Sequence, residues 1–456
     1  MTYLTIKNTS ADRNIRRRSW CDQVGLYVLY FLLLLQPFHF IVSEQFLYYR
    51  ETFTVVFCLL LIYNFLTTSF HTNIDFRVRK EIFYLLLFCA LLIYFGIADP
   101  GISLYGADNT GASEQLSTIS PTLYVIRNAL IYVPMVLYFA VRGINEIEIK
   151  RIAMIIVFVA PFSVWSFFIY STTATLGIEV IFAYIIALGG ETLSYNSYVP
   201  YLTFPVIASF FLLTTDSAKV LKLLYGLIGA GLAFYILFST SRQSFLFVII
   251  VAVFFLFSFT GYKRLKMVGL ILGITTFGWL MFIQFGSVFE ISDKFLDRYT
   301  TVSGMTETSR LEYLQQGLGL LEFHEYLTGA GLSSVIVSGP HNDYVRWLQR
   351  IGLIGMIVGF TPFIIGFRKA FALSRVHKNS PVYMFICLTI AFTLYHSFFG
   401  YPREDAFQAL YCFLGLAIWL GFSKSGIKQK LKQDLHAPAH SLGDVNGIVL
   451  KSSPKG

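Results

Sequence analysis

Charged side chains are scarce in this chain of 456 residues, since Asp, Glu, Lys and Arg make up only 13% of it. A soluble globular protein carries about 25%, and here hydrophobic residues reach 55%. The composition therefore places most of the chain in lipid. The net charge of +9 is spread over short loops between apolar runs, which argues against a basic face that binds nucleic acid.

Disulfide, metal and nucleotide motifs are also missing. The five cysteines show no Cys-x-x-Cys or other metal-type spacing, and four of them, Cys58, Cys89, Cys387 and Cys412, lie inside apolar runs. No P-loop, His-Glu-x-x-His, Gly-x-Ser-x-Gly or nucleotide-type glycine fingerprint occurs in the context that it requires. We therefore predict no cofactor and no metal site.

Apolar stretches recur along the chain, each about 17 to 22 residues long and so able to cross the hydrocarbon core of a bilayer. They predict an all-α polytopic membrane protein with about twelve transmembrane helices. The first run follows Arg16–Arg18 without a small-residue cleavage site, which is typical of an uncleaved signal anchor. The predicted spans lie near 23–43, 52–69, 81–98, 121–141, 152–171, 198–215, 221–239, 244–261, 267–285, 345–366, 381–399 and 404–422.

Loop charge gives the orientation. Most of the 35 Lys and Arg residues fall in alternate loops, on the same side as the N-terminal tail, 1–22, and the basic tail, 423–456. The loop 99–120 has no Lys or Arg, so it belongs on the opposite side. Both termini are therefore expected in the cytoplasm of a bacterial cell, with the transmembrane domain over 23–422. The composition of the C-terminal tail predicts disorder.

Three loops on the outer side are longer than the rest: 99–120, 172–197 and 286–344. The second contains an apolar run, 178–188, that is too short to span and is expected to lie in the interface or re-enter. The third, before the tenth span, shows helical periodicity and is expected to be an ordered, helical loop.

Two arginines on the outer side are candidate anion-binding groups. Arg242 follows Ser241 in a very short connection between two spans, and Arg310 follows Ser309 at the start of a helical pattern in the long loop. A guanidinium group suits phosphate oxygens, and Ser309 could cap a helix whose free N–H groups add to the site. Equally, Arg242 could reach the interface as a snorkelling side chain, and Arg310 could belong to an ordinary solvated helix.

The turn that begins at His341 carries a third group. His341 suits proton transfer near neutral pH, and Asn342 could orient a substrate hydroxyl or cap the helix that follows. Arg346 and Arg350 share one helix face and could bind an anion or snorkel. We interpret Gly352, Gly355 and Gly359, which follow in the same run, as small residues that allow close helix packing in lipid.

Weaker candidates have ordinary structural explanations. His39 and His396 lie in apolar runs and are expected to be buried and hydrogen-bonded within the bundle. Arg127, in the fourth span, could line a cavity, but internal ion pairing explains it equally well.

Together these motifs resemble the O-antigen polymerase and O-antigen ligase superfamily. His341-Asn342, nine residues, Gly352, two residues and Gly355 is similar to its His-Asn/Ser/Gln-x9-Gly-x-x-Gly signature. The two Ser-Arg pairs precede this signature in the same order as in that family. The resemblance implies a glycosyltransferase C-like helical bundle that acts without a metal on the periplasmic face of the inner membrane.

The resemblance also implies roles and partners. Arg242 and Arg310 would bind the diphosphate of an undecaprenyl-diphosphate-linked oligosaccharide and stabilise it as a leaving group. His341 would deprotonate or orient the glycan acceptor. Further substrate contacts are expected from Asn342, Arg346, Arg350 and Arg298. A chain-length regulator protein is a candidate partner.

Two departures from the family pattern bear on which reaction is expected. Met356-Ile357 stands where ligases tend to have Thr-Thr, which favours a polymerase over a ligase. Arg350 stands where many members have Glu, which changes how an acceptor would be held. A ligase, a capsule or exopolysaccharide polymerase, and a lipid-linked sugar flippase remain alternatives, although charge clusters at the outer surface rather than at the midplane as in transporters.

Overall fold

The structure is a computed structural model that describes most of the apolar part of the chain. The described residues are 23–38, 49–69, 79–98, 121–171, 195–259 apart from 217, 239 and 240, 321–332, 342–399 apart from 378 and 379, 408–436, and scattered positions between 261 and 319. Within these ranges the chain forms helices and turns and contains no strand.

The helices fall where the apolar runs predict them. Every predicted span except the ninth, 267–285, overlaps helical residues, the fourth and the tenth as two helical pieces each, and the ninth lies largely outside the described residues. The helices are α1 (Gln23–Leu35), α2 (Tyr49–Ser69), α3 (Lys80–Ala98), α4 (Pro121–Leu130), α5 (Val133–Arg142), α6 (Glu146–Ser171), α7 (Tyr195–Thr215), α8 (Lys219–Phe238), α9 (Arg242–Ser258), α10 (Glu325–Thr328), α11 (Asp343–Val376), α12 (Pro381–His396) and α13 (Ala409–His436).

Four of the described segments are long and apolar enough to cross a membrane: Lys80–Ala98, Val125–Arg142, Lys219–Ile236 and Asp343–Val376. Shorter apolar helices accompany them. Several helices turn large apolar side chains outward, as α3 does with Phe83, Leu86 and Ile93. Contiguous exposed apolar surface of this kind is consistent with a membrane protein. The number twelve remains a prediction.

The bundle has two distinct ends. At the first, which we call the Arg142 end, Arg142 pairs with Glu148, and Arg79 donates a hydrogen bond of 2.8 Å to the carbonyl of Leu420. At the second, which we call the Asn342 end, α9 and α11 begin and α12 ends.

A buried carboxylate joins three distant segments at the Arg142 end. Glu81 is 1% exposed and accepts hydrogen bonds from Lys369 Nζ at 2.8 Å and from Trp419 Nε1 at 3.2 Å. The pair fixes α3 against α11 and α13. Because an unpaired carboxylate in an apolar bundle is costly, these two donors are what allow Glu81 to lie inside it.

The predicted fourth span, 121–141, consists of two helices, α4 and α5, separated by a turn at Ile131-Tyr132. Pro134 in the first turn of α5 prevents a continuous hydrogen-bond ladder. In the turn, the carbonyl of Ile131 accepts a hydrogen bond of 2.6 Å from Thr54 Oγ1. Arg127, on α4, forms an ion pair with Glu51, so the internal pairing expected as one explanation of this arginine is found.

Helix α11 is broken at Gly352, whose backbone has φ 67° and ψ −176°. Tyr344 and Phe360 lie eight residues before and after this break, about 24 Å apart along a continuous helix. Their rings nevertheless stack with centroids 4.0 Å apart. The two parts of α11 therefore reverse direction and lie side by side: a short arm, 343–351, and a long arm, 353–376.

This reversal corrects two sequence predictions. The single span predicted over 345–366 is wrong, because the crossing length belongs to the long arm, about 36 Å, whereas the short arm covers about 13 Å. Gly352 is not one of a row of helix-packing glycines, since its positive φ makes the turn itself. At the C-terminus, α13 extends to His436, beyond the predicted end of the last span.

Candidate functional site

Asn342 caps the short arm of α11. Its backbone is extended, and its side-chain Oδ1 accepts hydrogen bonds from the backbone N–H groups of Tyr344 at 3.0 Å and Val345 at 3.2 Å. Such a cap satisfies donors that the first turn of a helix would otherwise leave open. Of the two roles predicted for Asn342, the capping role is therefore found, and it uses only the acceptor atom of the amide.

The last turn of α12 holds the start of the short arm. Asp343 is fully buried; its N–H donates to the carbonyl of Ser397 at 2.7 Å, and Ser397 Oγ donates to Asp343 Oδ2 at 3.3 Å. Tyr344 OH donates to the carbonyl of Leu394 at 2.9 Å. A carboxylate in the first turn also suits the positive end of the helix dipole. The turn that carries Asn342 is thus fixed on a rigid helix end.

The N-terminus of α9 reaches the same place. Gln243 accepts a hydrogen bond of 2.9 Å at its carbonyl from Tyr395 OH, and the ring of Tyr395 stacks on Phe247 with centroids 4.8 Å apart. Ser241 and Ser244, on either side of the first turn, are buried and share a hydrogen bond of 2.9 Å between their Oγ atoms. The backbone of Arg242 begins α9 at this point.

Two helix N-termini, those of α9 and α11, therefore converge on the last turn of α12. The first N–H groups of α11 are already bonded, to Asn342 and to the carbonyl of Ser397, so what both N-termini offer is the positive end of a helix dipole. The positive end of a helix dipole favours negative charge nearby, and at α11 the buried carboxylate of Asp343 supplies such a charge. Tyr395 and Ser397 are two residues apart at the end of α12, so the two N-termini contact the same helix end through different side chains.

The two arginines of the short arm differ in exposure. Arg346 is half-buried, whereas Arg350 is 2% exposed and has its guanidinium carbon 5.8 Å from the centre of the Trp347 ring. Trp347 packs in turn against Phe88 of α3. The snorkelling alternative is therefore wrong for Arg350, which points into protein. Enclosing a guanidinium group costs several kcal/mol unless charge or hydrogen bonds offset it.

His396 lies beneath this region, in the last turn of α12. It is 2% exposed, and its Nε2 is 3.2 Å from Thr203 Oγ1, so the prediction of a buried, hydrogen-bonded histidine is confirmed. Thr203 Oγ1 donates to the carbonyl of Pro200 at 2.7 Å, so it accepts from the ring and Nε2 carries the proton. Among the described residues, Nδ1 has no partner.

Several predicted site residues fall outside the described residues: His341, Arg310, Arg298 and the side chain of Arg242. His39 and the apolar run 178–188 also fall outside them. Sequence reasoning considered Asp343 only as an alternative helix cap and did not find Tyr395 and Ser397; these three residues tie the two N-termini to α12. The one available signal was the polar pair Asn342-Asp343, because Asn and Asp are typical of helix starts.

Within the part of the chain that the structure describes, no three His, Cys, Asp or Glu side chains cluster as metal ligands. Four cysteines there, Cys58, Cys89, Cys387 and Cys412, are free thiols. The helical fold and the outward apolar faces are together consistent with a membrane protein. Comparisons with protein-family models and with curated proteins find no match for this chain.

Proposed function

We propose that this chain is a polysaccharide polymerase that joins undecaprenyl-diphosphate-linked repeat units, most specifically those of O-antigen, on the periplasmic face of the bacterial inner membrane. The observation that carries the proposal is the ordered set of motifs: Ser241-Arg242, Ser309-Arg310, and His341-Asn342 followed at the family's spacing by Gly352 and Gly355. The resemblance in these motifs supplies the reaction class. The helical fold is compatible with it.

In the proposed reaction an acceptor hydroxyl oxygen attacks the anomeric carbon of the donor sugar, and the bond from that carbon to the lipid diphosphate breaks. The bonding electron pair leaves with the diphosphate, and the hydroxyl proton goes to His341. Arg242 and Arg310 bind the departing diphosphate, on which negative charge increases. Fixed cationic groups stabilise such a leaving group most effectively where water is scarce.

Support from the structure comes from the convergence of the α9 and α11 N-termini on the last turn of α12. A diphosphate bound at the start of α9 would meet the positive end of that helix dipole as well as the guanidinium group of Arg242. In the proposal, Asn342, Arg346, Arg350 and Arg298 contact the sugars or the diphosphate. Among these, Arg346 is the described side chain that combines positive charge with partial exposure.

The test is replacement of His341 by alanine in a strain that lacks the native copy. We expect loss of long glycan chains, with a single repeat unit left on the lipopolysaccharide core, at unchanged protein level in the membrane. His324→Ala is the matched control, because this histidine precedes α10 with 72% of its side chain exposed. Long chains made by the His341→Ala protein would remove His341 from the mechanism.

The nearest alternative is a ligase that transfers finished glycan to lipid A-core, and gene deletion separates the two. Loss of a polymerase leaves one repeat unit on the core, whereas loss of a ligase leaves bare core and accumulated lipid-linked polymer. The residues Met356-Ile357, in place of Thr-Thr, favour the polymerase. Loss of capsule or exopolysaccharide with unchanged lipopolysaccharide would assign the same chemistry to a different polymer.

A further inference from the structure

Two glycines from distant parts of the chain meet backbone to backbone at the reversal of α11. Gly352 has φ 67° and ψ −176°, and Gly329, at the end of α10, has φ 81° and ψ 163°. Both conformations belong to a region that is essentially restricted to glycine. Each glycine occupies a place where no other residue type fits without displacing the backbone.

Space at the contact is equally restrictive. A Cβ added to Gly352 would lie less than 3.0 Å from the carbonyl of Leu327, and one added to Gly329 would lie less than 3.0 Å from the carbonyl of Arg350. In both cases the obstacle is backbone, which cannot rotate away as a side chain can. The close approach of these two segments therefore depends on both residues being glycine.

Hydrogen bonds close the contact. Ala330 N–H donates to the carbonyl of Gln349 at 2.7 Å, and Gly331 N–H donates to the carbonyl of Arg350 at 3.3 Å. These carbonyls end the short arm, and the break at Gly352 leaves them without the partners of a continuous helix. Next along the chain, Leu332 is fully buried in the cluster that contains Trp347. We call residues 329–331 together with 349–352 the clamp.

The position of the clamp in the chain gives it a consequence for the site. It closes a loop from Ala330 to Gln349 that contains His341 and Asn342, and His341 lies ten residues after Gly331 and nine before Arg350. One leg of this loop is the short arm, whose start is fixed on Ser397. With the clamp closed, nine residues, 333–341, separate the buried Leu332 from Asn342. With it open, the connection would be longer, and holding His341 in one place would cost more conformational entropy.

We infer that Gly329 and Gly352 are positioning residues: through the clamp they hold the short arm, and with it the His341-Asn342 turn, against the last turn of α12, where the proposed transfer takes place. This inference rests on the proposed function. It adds that the end of the outer segment, 329–332, sets the geometry of the site without touching substrate. A misplacement of about 1 Å can slow a reaction by about 100-fold.

The first experiment compares Gly329→Ala and Gly352→Ala with Gly319→Ala, a glycine with no atom within 4 Å of an added Cβ. The purified proteins, in lipid vesicles, receive lipid-linked repeat unit extracted from a polymerase-deficient host. We expect kcat to fall about 10- to 100-fold in both clamp variants, with KM for the donor within about twofold of the wild-type value and the Gly319→Ala protein unchanged. Wild-type kcat in both folded clamp variants would overturn the inference.

The second experiment cross-links the two sides of the clamp with a disulfide, which we call the staple, so the inference can be tested even if the glycine variants fail to fold. Ala330→Cys and Gln349→Cys, in a background without native cysteines, are expected to form a disulfide, because a backbone hydrogen bond already brings their backbones together. A clamp that holds the working geometry predicts equal activity of the oxidised and reduced protein. Activity that appears only after reduction would show that the clamp must open, which contradicts a fixed positioning role.

The same staple separates failure of this inference from failure of the proposed function. If wild-type protein forms no glycosidic bond under any condition, the proposed function is wrong. Disulfide yield still reports the clamp in that case: we expect it to fall at least severalfold when Gly352→Ala is added and to stay unchanged with Gly319→Ala. An unchanged yield with Gly352→Ala would refute the role of this glycine in the clamp.

Discussion

Cysteines at positions 344 and 360 test the reversal of α11 directly. The two residues are sixteen apart, so their Cα atoms would be about 24 Å apart in an uninterrupted helix. In the structure their ring centroids are 4.0 Å apart. Since an aromatic ring centre lies about 4 Å from its Cα, the two Cα atoms can be at most about 12 Å apart. A short bifunctional thiol reagent can bridge Cα atoms about 12 Å apart but not Cα atoms about 24 Å apart.

The assay uses the double variant Tyr344→Cys/Phe360→Cys in a background whose five native cysteines are replaced by alanine. After reaction in membranes, the protein is denatured and treated with a polyethylene glycol maleimide, which adds mass only to thiols that remain free. We expect the bridged protein to add no mass. The matched control is Val220→Cys/Ile236→Cys, a pair with the same separation within the unbroken helix α8.

The reasoning is refuted if the 344/360 pair behaves like the α8 pair. That result would mean that α11 is a single helix, as the apolar run alone predicts, and the two arms could not carry the positions assigned to the short arm. Cross-linking of both pairs would point to contacts between separate molecules instead, and dilution of the membranes into detergent would then abolish it.

Two further predictions concern packing. Lys369→Ala should lower the free energy of unfolding by about 1–3 kcal/mol, which is less than for a fully enclosed pair because this lysine is half exposed. The control is Lys150→Ala, which breaks an exposed pair with Glu146 and should lower the free energy of unfolding by under about 0.5 kcal/mol. Equal shifts in thermal unfolding in detergent would contradict this ranking. Trp347→Ala, at a fully buried site, should cost about 3–5 kcal/mol, and a melting temperature within a degree of wild type would show that the short arm does not pack as described.

Sequence alone predicts the positions of the helices well, because burial in lipid needs long apolar runs whatever the neighbours are. It also identifies Asn342 as a helix cap and His396 as a buried histidine, since both follow from local chemistry. The direction in which α11 continues after Gly352 cannot be predicted from local sequence in the same way. That direction depends on the backbone of Leu327, twenty-five residues earlier, and glycines at helical spacing are equally typical of close helix packing.

The two arginines of the short arm show the same limit. Periodicity places Arg346 and Arg350 on one face and treats them alike. Their exposures differ because Arg350 lies beside the clamp and Trp347, whereas Arg346 lies one turn nearer to the start of the short arm. Which charged residue is enclosed is decided by what packs on the helix, and the sequence of the helix does not contain that information.

The link between Glu81 and its two donors has a consequence for biosynthesis. Lys369 follows Glu81 by 288 residues and Trp419 by 338. At about 5–20 residues per second, a ribosome needs about 15 to 60 s to add the first of these partners. Throughout that interval the carboxylate belongs to a helix already delivered to the bilayer. This end of α3 must therefore stay in contact with water or with the insertion machinery until the ribosome has synthesised Lys369 and Trp419.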